Sequence, residues 1–186
     1  MSNSTIARWQ SWDGLGLEHL LLREEPNGIV AESLLIGDGD SGIALSYCID
    51  CDPAWRVRRL TLRLLGEERM IDMISDGAGH WGDASGTPLP ELRGAIDVDI
   101  SATPFTNTLP IRRLMLSEGE SAVITVAYVS VPSLTVTAER QRYTCLKPLA
   151  RYRYESLSSG FTRDVEVDEK GLVTLYPDLF RRSEIG

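Results

Sequence analysis

A chain of 186 residues with 27 acidic and 19 basic side chains carries a formal charge of −8, which repels phosphate backbones and argues against nucleic acid as a partner. With 42% apolar and 25% charged residues the composition is globular, and one domain with a continuous core over residues 1–186 is expected. No apolar run approaches the ~18–20 residues that cross a membrane as a helix, and the first residues lack a basic start followed by an apolar stretch. The expectation is a cytoplasmic protein without membrane insertion.

In chain order, strand-length runs at 16–24 and 29–36 flank the turn Pro26-Asn27-Gly28. The Gly37–Gly42 stretch has the look of a calcium loop, but the twelfth position from Asp38 is Ile49 instead of the closing glutamate, so a solvated hairpin turn is expected. In the next run, 43–51, Cys48 and Cys51 spell C-x-x-C. Alternation puts Cys51 on one face with Leu45, Tyr47 and Ile49, and Cys48 on the other. With Cys145 the only other cysteine, and no second Cys or His pair at zinc spacing, no metal, redox centre or cofactor is predicted.

Further runs lie at 55–65, where Leu60, Leu62 and Leu64 alternate with Thr61 and Arg63, and at 69–74 and 95–101. Thr108–Leu116 reads as a short helix, capped by Thr108 and tolerant of Pro110 in its first turn. The strand at 121–131 is apolar on both parities, which predicts cover on both faces by the short helices or by a bound ligand. Runs at 134–146, 150–157, 162–168 and 172–176 follow, and Pro177–Ser183 reads as a second short helix with Arg181 and Arg182 at its C-terminal end. Short connections make sequence neighbours antiparallel neighbours.

Three constellations carry chemistry. Asp97 and Asp99 project from one face of a strand, as an acid–base pair would, yet Arg56, Arg58, Arg112 and Arg113 offer them structural ion pairs. Ser75–Trp81 gathers Asp76, His80 and Trp81 between glycines, which reads either as a general base with its orienting carboxylate or as a plain turn. All basic residues but Lys147 and Lys170 are arginine, and several adjoin rings: Arg8-Trp9, Trp55-Arg56, Arg142-Tyr143 and Arg151-Tyr152-Arg153-Tyr154. Such pairs hold sugars or polar headgroups, and they equally make cross-strand contacts on an exposed sheet.

Longer phrases carry a resemblance. They are W-x-x-W-D-G-x-G-x-E-H at Trp9–His19, C-D-x-x-W-x-V-R at Cys51–Arg58, S-D-G-x-G-x-W at Ser75–Trp81, and D-V-D-I-S-A-T-P-F-T-N-T-L-P-I-R-R at Asp97–Arg113. Q-x-Y at Gln141–Tyr143 and G-L-V-x-x-Y-P-x-L-F-x-R at Gly171–Arg182 complete the set. In this order and over nearly the whole chain they resemble the bacterial "putative glycolipid-binding" family. The resemblance implies a mainly β fold, a curved antiparallel sheet forming a half-barrel or open barrel around a few short helices. That shape is similar to the carriers of the bacterial lipoprotein-localisation system, and it implies no catalytic residues.

The expected function is therefore non-enzymatic binding of a lipid, glycolipid or similar amphiphile in an apolar groove. The candidate mouth of that groove comprises Arg56, Arg58, Asp76, His80, Trp81, Asp97, Asp99, Thr103, Asn107, Arg112, Arg113 and Tyr143. The alternatives are a hydrolase or isomerase using Asp97, Asp99, Asp76 and His80, which must then converge on one open pocket, and a protein-interaction module with a filled core.

Overall fold

A computed structural model describes residues 3–37 and 42–183, so the turn expected at Gly37–Gly42 lies largely outside the described residues. The chain runs through β1 (Asn3–Ser11), β2 (Leu17–Glu25), β3 (Gly28–Ile36), β4 (Ala44–Cys51), β5 (Val57–Leu64), β6 (Met70–Ser75) and β7 (Trp81–Asp83). A single 3-10 turn at Pro90–Leu92 leads into β8 (Ala95–Ile100), and a second at Phe105–Asn107 leads into α1 (Thr108–Leu114). Then come β9 (Ser121–Ser130), β10 (Thr135–Lys147), β11 (Arg151–Ser156), β12 (Thr162–Val167), β13 (Val173–Tyr176) and β14 (Phe180–Arg182).

All these strands join one curved sheet in the order β7-β6-β5-β4-β3-β2-β1-β14-β13-β12-β11-β10-β9-β8. Every neighbouring pair is antiparallel except β8 and β9. The two edges approach where the Gly94 N–H donates to the Gly79 carbonyl at 2.8 Å and the Trp81 indole donates to the Ala95 carbonyl at 2.8 Å. These are single contacts without a ladder, so the sheet does not close into a barrel. Among the described residues no helix is long and apolar enough to cross a membrane.

Alternation sorts the side chains as the sequence predicts. Leu20 and Leu22, Ala31 and Leu35, Leu45, Tyr47, Ile49 and Cys51 face inward, while Cys48 is on the opposite face. β1, absent from the predicted strands, shows the same pattern: Ala7 and Trp9 are buried on one parity.

What fills the curve is the chain itself. Every residue from Thr103 to Ile111 is buried, so the sheet wraps around this segment instead of leaving a continuous groove. Val98, Ile100, Phe105 and Leu109 join a first core against the β1–β7 half, together with Ala127 and Val129. Ile111 and Leu116 join a second core with Tyr143, Tyr152, Tyr154, Val165 and Tyr176 from the β10–β13 half. The apolar character of β9 on both parities follows: Ala127 and Val129 serve the first core, and Ala122 and Ile124 pack on the second. The cover is supplied by the protein's own residues.

Two predicted helices change. α1 forms, but it grows out of the preceding 3-10 turn and is not capped by Thr108, and Met115 at φ 48° stops it before Leu116. The predicted helix at Pro177–Ser183 is instead a tight turn and β14. Asp178 takes φ 66°, the Leu179 N–H donates to the Tyr176 carbonyl at 3.0 Å, and Phe180–Arg182 pairs with both β13 and β1. Tertiary pairing overrides a weak local helix signal here, because β14 is the seam joining the two halves of the sheet.

Candidate functional site

The register separates the two ends of the sheet, and the turns assign residues to each. At one end lie the β2–β3, β4–β5, β6–β7 and β12–β13 connections. At the other lie the ends of β1, β3, β9, β11 and β13 and the starts of β2, β4, β12 and β14, together with Ser101–Thr103 after β8.

Two cavities open at this second end. The first, of about 420 Å3, is walled by Trp9, Trp12, Leu17, Leu35, Ile43, Ala102 and Val131, with Glu18 among them. The second, of about 330 Å3, is walled by Tyr128, Tyr154, Phe161 and Tyr176, with Asp99, Asn107, Glu139 and Gln141 supplying polar groups. Ser101, Leu179 and Phe180 belong to both walls, so the cavities abut. Each has the size of a small-molecule pocket, ~300–1,000 Å3 in most proteins. A third depression, on the convex face, is lined by outward residues such as His19, Leu34, Arg59, Met70 and Asp72.

Glu18 is the polar centre of the first wall. The β1–β2 turn that precedes it is held by its own side chains: Asp13 accepts from the Leu15 N–H at 3.0 Å, Ser11 accepts from the Gly16 N–H at 2.7 Å, and the Trp12 N–H reaches the Leu179 carbonyl at 2.8 Å. Inward parity then points Glu18 into the protein, where it is 2% exposed. Its Oε1 accepts three hydroxyl hydrogen bonds, from Ser33 at 2.7 Å, Tyr47 at 2.6 Å and Thr103 at 2.9 Å. Among the described residues its Oε2 has no hydrogen-bond partner. Burial pushes the Glu18 carboxyl up to about 7, against the opposing pull of the three hydroxyls.

In the second wall, Asp99 accepts from the Thr106 hydroxyl at 3.0 Å and from the Gln141 amide at 2.6 Å. Burial raises its pKa, with both hydrogen bonds opposing. Gln141 is buried, and among the described residues its Oε1 has no hydrogen-bond partner. The rings pack edge to face, Tyr154 on Tyr176 at 6.4 Å and Tyr176 on Phe180 at 6.3 Å.

The residues proposed from the sequence divide between the two ends. Asp99, Thr103 and Asn107 stand in the second cavity wall. Tyr143 is buried behind it and donates to Asn107 at 2.9 Å. Asp97 is sealed from solvent and gripped bidentately by Arg113, Nε at 3.0 Å and Nη2 at 2.6 Å. Arg112 does not return to the aspartates: it stacks over Trp55 at 4.3 Å and donates to the Lys170 carbonyl at 2.9 Å and to Glu24 at 3.1 Å.

Asp76 and His80 sit on the exposed β6–β7 turn, 2.7 Å apart, at the end of the sheet away from both cavities. The Ala78 and His80 N–H groups and the His80 ring hold the Asp76 carboxyl down at about 2. Arg56 and Arg58 are exposed beside Asp52, and Trp81 is core. The pocket expected for acid–base work by Asp97, Asp99, Asp76 and His80 is therefore not assembled: one carboxylate is sealed, one lies in the second cavity, and the other two groups are at the far end. The ring–arginine pairs do not converge either. Alternation turns Tyr152 and Tyr154 into the second core and leaves Arg153 outside, paired with Asp164 at 2.8 Å.

Glu18, Gln141 and the wall tryptophans were not among the residues proposed. Their signal was present, since Trp9, Trp12 and Glu18 all fall in the Trp9–His19 phrase and Gln141 in the Q-x-Y phrase. For Glu18 the cue is a glutamate within the predicted 16–24 run on the inward parity of Leu20 and Leu22.

A family model described as "Putative glycolipid-binding" matches residues 6–182. Among solved structures, a DUF1089 family protein from Pseudomonas aeruginosa, determined at 1.80 Å, is 37% identical in sequence with a TM-score of 0.77. The match covers 94% of this chain and 92% of that one. A search of curated proteins finds no match.

Proposed function

We propose, from the premise that this chain belongs to the "Putative glycolipid-binding" family, that it binds one amphiphile across its two abutting cavities. The tail occupies the first cavity and the polar head the second. The observation that carries this reading is the shared wall of Ser101, Leu179 and Phe180 between an apolar space and an aromatic, polar one. Each tail methylene withdrawn from water against Trp9, Leu35 and Val131 contributes about 0.8 kcal/mol. In the second cavity the faces of Tyr154 and Tyr176 suit the C–H face of a sugar, and Asp99 and Gln141 suit its hydroxyls. The reading rests on the lining of the two cavities and not on fold resemblance alone.

The test is mass spectrometry of organic extracts from protein purified out of cells, beside the Ala102→Trp variant. Ala102 lines the first cavity and is half-buried, so an indole there occupies the space at small cost to the core. A co-purifying amphiphile that is lost in Ala102→Trp supports the proposal. An amphiphile retained equally by both proteins, or none in either, refutes it.

A further inference from the structure

We infer that the cavity end of the sheet is a docking surface for a lipid bilayer with neutral or zwitterionic headgroups, the tips of its turns seated in the bilayer's interfacial layer. The inference rests on the amphiphile reading above and goes beyond it, since it names the surface from which such a ligand enters and to which it leaves.

The first observation is an asymmetry between the two ends of the sheet. Trp12 and Leu15 in the β1–β2 turn, Leu65 in the β5–β6 turn and Leu179 in the β13–β14 turn are exposed, as are Leu17 and Ile36 at the ends of β2 and β3. Leu65, at 81% exposure, and Leu15, at 64%, are the most exposed large apolar side chains among the described residues. Antiparallel alternation puts the β5–β6 turn at the cavity end, and its Arg69 donates to the Ser133 carbonyl of the β9–β10 turn at 3.3 Å. At the opposite end, the β2–β3, β4–β5, β6–β7, β10–β11 and β12–β13 connections expose no large apolar side chain. Among the described residues Met115, on the way from α1 to β9, is the one exposed there.

The second observation is continuity. The Trp12 N–H donates to the Leu179 carbonyl at 2.8 Å, and Leu17 pairs across the ladder with Ile36. All four residues also line the first cavity, so the apolar rim runs into the apolar interior. Isolated apolar side chains are ordinary on a protein surface, whereas a contiguous set marks an interaction site. This set borders the opening through which a tail must pass, and a tail crossing water gives up its burial on the way. A bilayer held against the opening removes that crossing, and an indole at the rim is a side chain that membrane interfaces favour. Tips drawn from separate turns also suit a deformable surface, which needs no complementary shape.

The third observation is charge, and it selects the lipid. Among the described residues the β1–β2, β5–β6 and β13–β14 turns hold the carboxyls Asp13, Glu67, Glu68 and Asp178, and one cation, Arg69, paired with Glu67 at 2.6 Å. Proteins drawn to anionic bilayers present clusters of lysine and arginine. Here the sign is reversed on a chain of net charge −8, so adhesion comes from apolar area and an anionic surface opposes it.

Sedimentation with sucrose-loaded vesicles tests this. Wild-type protein is expected to pellet with phosphatidylcholine vesicles, with roughly fivefold lower affinity when about a third of the lipid is phosphatidylglycerol. Leu15→Gln and Leu65→Gln should each weaken binding to phosphatidylcholine roughly tenfold, the loss of one leucine side chain from the apolar contact. Met115→Gln, at the opposite end, should leave it within about twofold. Neither Leu15 nor Leu65 lines a cavity, so amphiphile should still co-purify with both variants.

Wild-type protein that stays in the supernatant with both kinds of vesicle overturns the inference, while amphiphile in its extract leaves the earlier reading standing. Vesicle binding with no amphiphile in the extract overturns the earlier reading and not the docking surface. Preference for the anionic vesicles, or equal losses in Met115→Gln and the two rim variants, also overturns the inference. So does a dimer in sedimentation equilibrium that Leu15→Gln and Leu65→Gln dissociate, because the rim is then the contact between two copies.

Discussion

Glu18 makes the stability of this protein depend on pH in a way that one substitution removes. Burial raises its carboxyl from an ordinary 4.5 to about 7 in the folded protein. Between these values the folded state holds a proton that the unfolded state has released, so stability is fully present below 4.5 and is lost as pH rises to about 7. At about 1.4 kcal/mol per pH unit, the whole loss is about 3 kcal/mol. Tyr47 donates to Glu18 and is itself pushed far up by burial, so it stays protonated throughout.

Glu18→Gln carries no titrating proton at this position. The difference in unfolding free energy between variant and wild type cancels Asp97 and Asp99, which burial also raises and which both proteins share. With a pI near 4.8, the protein is best measured above pH 5. Urea unfolding from pH 5.5 to 8.5 should show the variant gaining about 2 kcal/mol on the wild type, most of it below pH 7. A difference that stays flat with pH would mean that Glu18 titrates near its ordinary value and is not confined as described.

Arg113→Met strands Asp97, whose side chain is fully buried, and should cost about 3–5 kcal/mol in urea unfolding; Asp97→Asn in the same chain should recover most of that loss. Gly79→Ala places a Cβ 2.8 Å from the Gly94 Cα at a backbone φ of +96°, and a loss of about 2 kcal/mol or more is expected in thermal melts. Asp76→Asn and His80→Ala lie at the opposite end of the sheet from both cavities, so decyl glucoside affinity should remain within about twofold, the scale of a surface change.

Much of the sheet was legible because its strands obey period two, and inward parity alone identifies Leu20, Tyr47, Ile49 and Leu62 as core. The resemblance carried by the Asp97–Arg113 phrase also proved sound, since the family model spans residues 6–182. β14 was not legible, because three residues after Pro177 carry no periodicity and their strand state comes from pairing with β1. The Asp97–Arg113 ion pair could be foreseen from charge and spacing. The destination of Arg112 could not, since Trp55, Glu24 and Lys170 reach it only through the sheet's curvature.

The cavities were the least legible feature. Their walls draw single residues from many strands, and the shared Phe180 belongs to a segment that reads as helix. The open groove expected on the concave face followed from the half-barrel that the resemblance implied. It is filled by Thr103–Ile111, whose unbroken burial depends on a sheet curling around it.

A crystal structure with n-decyl β-glucoside tests the central claim most directly. The account predicts its alkyl chain against Trp9, Leu35 and Val131, its sugar on Tyr154 and Tyr176, and its hydroxyls within hydrogen-bond reach of Asp99 or Gln141 in the second cavity. A glucoside seated on the convex face, or with its sugar in the first cavity and its chain in the second, would contradict it.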